Sequence, residues 1–326
     1  MSTFDFTGAE QFFRLSGLLQ EGGEPSPSAW RALFDTPGYR ALTAGEFQPH
    51  FLKDVWRLAL SPRLASERQK MEGQAGRMAR HARKAVSRKE ELLEFRDLLV
   101  SRQEDLLQQA RQKALRYLPE GQFEDWSEVA FLVFDSDARG YVPLAVDLMF
   151  ALDLGNPCRL ASLLAHEYHH QQVFGLRGLA PGGPDKRHDI VWILDQIHLE
   201  GIADMITVPE MEEADRNRFT ARAERAPEYL ARLDRGIREA ASNPDRADQW
   251  GRRLREDLPE SGHPIGYFMA RIISRHLGHE ALVQAATHPL RFLRAFSRAC
   301  RKGGHEAPLS DEAILEAARV FYRQAE

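Results

Sequence analysis

The stretch Asn156-Pro157-Cys-Arg-Leu160-Ala-Ser-Leu163-Leu164-Ala-His166-Glu167-Tyr168-His169-His170-Gln-Gln-Val-Phe-Gly175 decides the reading of this chain. It carries both ends of a helix. Asn156 suits an N-cap and Pro157 the first helical position, where a missing N–H costs nothing. Leu160, Leu163 and Leu164 supply a face to bury, and Gly175 is a natural stop. Inside the helix lies the pattern His-Glu-x-x-His. Side chains four apart share a helix face, so His166 and His170 can grip one ion together. Glu167 is rotated toward an adjacent part of the same groove, where it can take a proton from a water without being a ligand. His169 stands about 100° of helix rotation from its neighbours and reads as a surface or supporting histidine.

Downstream, residues 175–184 are rich in glycine and proline and read as a loop, mobile or plainly connecting, with His188 solvated after it. A second apolar helical run follows over 189–208 and is stopped by Pro209. It contains Leu199-Glu200-Gly201-Ile202-Ala203-Asp204, with Glu200 and Asp204 on one face and His198 off it. Two histidines and a glutamate complete a three-ligand zinc site that keeps a fourth position for water. Asp204 is then placed to hold the second nitrogen of a ligand histidine.

Upstream, Val129-Ala-Phe-Leu-Val-Phe134 reads as a strand, 135–140 as a turn, and 141–152 as a second apolar stretch. Asp135 and Asp137 before Gly140 have the look of a calcium loop. Arg139 at a ligand position and Val146 in place of the closing glutamate exclude it. Residues 61–118 are charged and helix-favouring. Leu92, Phe95, Leu99 and Leu106 recur at helical spacing, which predicts one or two long amphipathic helices with a weak point near Gly73 and Gly76. The basic run Arg77, Arg80, Arg83, Lys84, Arg88 and Lys89 reads as a solvated helix face. The first sixty residues read as helices broken at Gly22, Gly23, Pro25 and Pro27.

His-Glu-Tyr-His-His170 followed by Glu200-Gly-Ile-Ala-Asp204 resembles the gluzincin metallopeptidases, of which thermolysin is the familiar example. With Gly266-Tyr267-Phe-Met-Ala-Arg-Ile-Ile, the wording is similar in particular to a bacterial family of predicted zinc-dependent proteases. The resemblance covers about 129–296. It implies that His166, His170 and Glu200 hold one zinc ion per chain, that Glu167 is the general base, and that Asp204 supports the ligands. It implies further that Tyr267, or alternatively His263, donates to the developing oxyanion. The catalytic-histidine segment of thermolysin and the Gly-Ala-Met-Glu-Asn string of gluzincin aminopeptidases have no counterpart here.

The expected fold is therefore α+β and mainly helical. A zincin-like core over 121–326 would follow an N-terminal helical region over 1–120, with a small sheet offering an edge to an extended peptide. The expected activity is hydrolysis of a peptide or protein substrate. The alternatives are a non-peptidase zinc or iron enzyme, since two histidines and a carboxylate also suit iron, and a peptidase fold serving only to bind. With 326 residues, 43% of them hydrophobic, the chain can bury a sizeable core. A net charge of -4 does not suggest a nucleic-acid partner. No apolar run approaches the roughly 18 residues of a membrane span. Two cysteines, Cys158 and Cys300, make no disulfide framework, so a reducing cytoplasm is expected.

Overall fold

The computed structural model describes residues 3–121, 126–177, 189–304 and 306–322. In chain order its main elements begin with β1 (Phe4–Asp5), α1 (Thr7–Gln20), α2 (Pro27–Phe34), α3 (Pro37–Gly45), α4 (Pro49–Leu60), α5 (Ala65–Arg68), α6 (Gly73–Ser87), α7 (Lys89–Ser101) and α8 (Gln103–Leu115). There follow β2 (Val129–Leu132), β3 (Ala138–Arg139), β4 (Leu144–Asp147), α9 (Leu148–Asp153) and α10 (Pro157–Leu176). The remainder is helical: α11 (Asp189–Thr207), α12 (Glu213–Ala223), α13 (Ala226–Ser242), α14 (Ala247–Glu256), α15 (His263–Leu277), α16 (His279–Ala285), α17 (Pro289–Lys302) and α18 (Asp311–Val320). This is the mainly helical α+β fold expected, with one small sheet. Among the described residues no helix is long and apolar enough to cross a membrane.

The chain forms two compact units, each drawn from two stretches of sequence. The first takes Met1–Ala110 and Phe123–Gln171, the second Arg111–Gln122 and Gln172–Glu326. Two of the three dividing points fall inside α8 and α10.

The first unit is organised on a four-stranded sheet of order β1-β2-β4-β3. Strands β1, β2 and β4 run parallel, while β3 lies antiparallel to β4 and forms an edge. All four residues of β2 are buried, as are those of β4. A strand covered on both faces needs a continuous apolar run, which is what Val129 to Leu132 supply. Helices restart at Pro27, Pro37 and Pro49, each at the first helical position. They carry a nest of rings in which Phe12, Trp30, Phe34 and Tyr39 surround Trp56 at 5.4–6.3 Å. Tyr39 ties this nest to the end of β2, its hydroxyl donating to Val133 O at 2.8 Å.

Two expectations change here. The sheet's first strand comes from residues 4–5, inside the region read as purely helical. After the single turn of α5, the charged stretch forms three separate helices of ordinary length, α6, α7 and α8, instead of one or two long ones. The breaks are single residues, Arg88 (φ -108, ψ 20) and Arg102 (φ -112, ψ 8). Neither is glycine or proline. Arg88 pairs instead with Glu91 at 2.7 Å and with Asp153, and Arg102 pairs with Asp105 at 3.0 Å. The basic face of α6 is exposed as read, with Lys84 bonded to Asp153 at 2.9 Å. At the would-be calcium loop, Arg139 is bound instead to Glu46 and Asp137.

The second unit is a helical assembly built around α11, which packs on α14, α15 and α17. Thirteen of its nineteen residues are buried, so it is a central helix and not an amphipathic one. Its Asp195 is fully buried; Arg177 Nη2 donates to its two oxygens at 3.0 and 3.1 Å, and the Tyr322 hydroxyl donates to Oδ1 at 3.2 Å. Removing one member of such a pair strands a buried charge. Cys158 is exposed and Cys300 buried, and both are free thiols.

Candidate metal centre

In the first unit, α10 begins as its sequence predicts. The Asn156 side chain accepts from Cys158 N at 2.8 Å, and Pro157 opens the helix. The helix is then pinned from its side. Tyr168 donates from its hydroxyl to Ser127 O at 2.9 Å, and the Gln171 amide bonds Ser127 Oγ at 2.8 Å and the carbonyl of Tyr141. These bonds fix the rotation of α10 against the segment that leads into β2 and the turn between β3 and β4. His166 and His170 consequently sit buried at 6% and 7% exposure, their ring centroids 4.6 Å apart and nearly perpendicular.

Glu167 is also buried, and its neighbour is the end of the edge strand. A Cβ added to Gly140 would lie 3.1 Å from His170 Cβ and 3.4 Å from Glu167 Oε2. Only a residue without a side chain lets the β3–β4 turn come this near the helix without displacing something. His169 is fully buried, with its ring 6.3 Å from that of His170. The surface reading of His169 therefore fails: residues 164–170 are buried all round, so no face of α10 at this level meets solvent.

In the second unit, α11 presents Glu200 and Asp204 on one face, at 13% and 4% side-chain exposure. They meet His263, the first residue of α15. Its Nδ1 lies 3.0 Å from Asp204 Oδ2 and its Nε2 lies 3.5 Å from Glu200 Oε2. Thr207 adds a long bond from Oγ1 to Asp204 Oδ1 at 3.4 Å. Tyr267, one turn along α15, is half-buried with its ring 5.4 Å from Phe219. Burial raises its phenol above the ordinary tyrosine value, against the lowering effect of Arg271 and with a further rise from Asp204. It is therefore a neutral donor at physiological pH. His198 lies off this face as expected, in the core, its Nε2 3.2 Å from Ala285 O. The loop over 175–184 lies outside the described residues from 178 onward, and His188 lies outside them as well.

The first unit thus brings together His166, Glu167 and His170, and the second brings together Glu200, Asp204 and His263. His263, named in the sequence only as an alternative donor, lies beside both carboxylates. The available signal was its position directly after Gly262 and before Pro264, at the start of the helix that also carries Tyr267.

Buried imidazoles on one helix and a partly buried glutamate on another are the donor chemistry of zinc-dependent peptidases. The profile of a protein family described as "Putative zinc dependent peptidase (DUF5700)" matches residues 30–304. The chain belongs to this family. No curated protein and no solved structure matches it.

Proposed function

We propose that the protein is a gluzincin-type zinc peptidase in which His166, His170 and Glu200 hold one zinc ion, with Asp204 supporting them. Two neutral nitrogens and one carboxylate oxygen suit zinc and leave a coordination position open. The observation that carries the reading lies in the first unit: two buried imidazoles one helical turn apart, with Glu167 between them in sequence and beside the end of an edge strand. Zinc, when bound, would supply the Lewis acid that lowers the pKa of a water and polarises the scissile carbonyl.

The chain's own residues account for the rest. Glu167 accepts the proton of the attacking water and passes it to the leaving amine. Tyr267, kept protonated by burial, donates to the oxygen on which charge develops. Strand β3 ends the sheet, and an extended peptide or protein segment can pair with it by displacing the Asp137 and Arg139 side chains that bond Ala138 N and Ala138 O at 2.9 Å. Gly140 follows β3 and sets that edge against Glu167.

The test is metal content and turnover on one preparation. Protein purified without added metal should carry close to one zinc per chain and cleave a peptide library until a chelator is added. The double variant His166→Ala, His170→Ala should lose both. Full zinc retention in that variant sinks the ligand assignment. A zinc-replete wild type that cleaves no peptide sinks the peptidase reading.

A further inference from the structure

His263 has no settled task in this scheme, yet the second unit is built to put it in one place. Three consecutive residues before it have left-handed backbone: Glu260 (φ 47), Ser261 (φ 53) and Gly262 (φ 98). Two of them carry side chains, for which this conformation is unfavourable and persists only where the surroundings enforce it. At Gly262 a Cβ would lie 3.2 Å from Ile197 N. Four residues further on, Gly266 meets Gly201 where α15 crosses α11. A Cβ on Gly266 would fall 2.0 Å from Ile197 O, and one on Gly201 would fall 2.3 Å from the Gly266 carbonyl carbon. The two backbones touch. His263 and Gly266, three apart, share the face that makes the contact. The crossing therefore delivers the imidazole to the two carboxylates of α11.

We infer that His263 is a positioning residue for Glu200, which rests on the reading of Glu200 as a zinc ligand. Through Nδ1 the ring is anchored on Asp204 Oδ2, and through Nε2 it faces Glu200 Oε2. It thereby fixes the rotation of the Glu200 carboxylate and assigns the ligand role to Oε1. Asp204 acquires a task different from the one its spacing suggested: it holds the residue that orients Glu200. Outer partners of this kind fix the geometry of a metal ligand and its affinity.

The experiment compares wild type, His263→Ala and His263→Asn, with His166→Ala as control. Folded fraction is matched by circular dichroism. Zinc affinity is read by competition with a chromogenic chelator, and ligand geometry by the visible spectrum of the cobalt(II)-loaded protein. Asparagine can still donate toward Asp204, so it keeps that hydrogen bond where alanine loses it, but it puts nothing against Glu200. Both variants should bind zinc about 10- to 100-fold more weakly and show an altered cobalt spectrum. Wild-type affinity and spectrum in both variants overturn the inference, whatever happens to turnover. A fall in kcat alone, with affinity and spectrum intact, overturns it in favour of a direct role in the reaction. Failure of the underlying zinc reading looks different: wild type would take up no zinc, or His166→Ala would keep it.

Discussion

The histidine pair and the acidic pair reach their places by different physical means. In the first unit, α10 is a capped helix locked in rotation by hydrogen bonds from Tyr168 and Gln171. In the second, α11 is held by apolar packing and by a crossing so close that neither helix can carry a side chain where they meet. Hydrogen bonds tolerate small shifts by lengthening. A backbone contact between two glycines has nothing to give. The first arrangement should therefore fail locally when perturbed, and the second as a whole.

The largest effect is expected where chemistry is removed without touching either device. In Glu167→Gln the side chain keeps its shape and can still hydrogen-bond a water, but it cannot accept the proton. Zinc content should stay near wild type while turnover falls by roughly 10²–10⁴-fold. Wild-type turnover in a zinc-replete variant would remove the mechanism even if the ligands were right.

Next come paired glycine substitutions, which set the two devices side by side. Gly266→Ala puts a methyl 2.0 Å from a backbone oxygen, so the helices must separate. We expect a loss of about 3 kcal/mol or more, at the upper end of overpacking effects. Gly140→Ala meets His170 Cβ, the Glu167 carbonyl oxygen and Glu167 Oε2 at 3.1–3.4 Å, so the turn and the helix need to part only slightly. It should cost about 1 kcal/mol or less and yet slow turnover, because the methyl abuts Glu167. Denaturant midpoints and peptide turnover for both variants check this. Equal stability losses would erase the contrast.

The smallest effect sharpens the view of the second unit alone. Burial, then the charges of Arg177, Arg291 and Arg294, push His288 down to about 4. Its folded pKa lies below its unfolded one, so the unfolded chain binds the extra proton first. The stability this contributes is complete above about pH 6.5 and is lost as pH falls toward 4. Since the ring is only half-buried, the loss should be on the order of 1 kcal/mol. His288→Asn retains an acceptor for Leu290 N, which His288 Nδ1 now receives at 3.1 Å, and should flatten that slope. Identical pH slopes for the two proteins would show that His288 is not the source.

The same contrast explains what the sequence could tell. The start of α10 was legible because a cap, a proline and an apolar face all act within one helix, whereas Gly175, read as its stop, lies inside it and the helix runs on to Leu176. The limits of α11 came within a residue for the same reason: its apolar run ends where Pro209 follows. Strand β2 was visible as an uninterrupted apolar run. Strand β1, two residues long, has no pattern to read and exists only because Val129 and Ala130 are there to pair with it. The breaks at Arg88 and Arg102 depend on carboxylates that anchor their guanidinium groups, and in the case of Asp153 the partner lies 65 residues away. His169 was placed by helix rotation alone, which tells where a side chain points but not what covers it. The place of His263 depends on a helix crossing and a left-handed turn, neither of which has a periodic signature.

The pairing of β1 with β2 has a kinetic consequence. Thr3 meets Glu128 across 125 residues of chain, whereas Val129 and Leu144, which open β2 and β4, are close neighbours in sequence. Closing the longer loop should cost about 2 kcal/mol more in chain entropy, for a strand that contributes only two residues. We expect β1 to be the last strand to dock as the protein folds and the first to peel away. When it does, it uncovers one side of an apolar parallel strand, a surface that invites pairing with another chain. Gentle heating should therefore aggregate the protein through its sheet before the helices of either unit melt, and a light-scattering onset that trails the loss of helix would refute this.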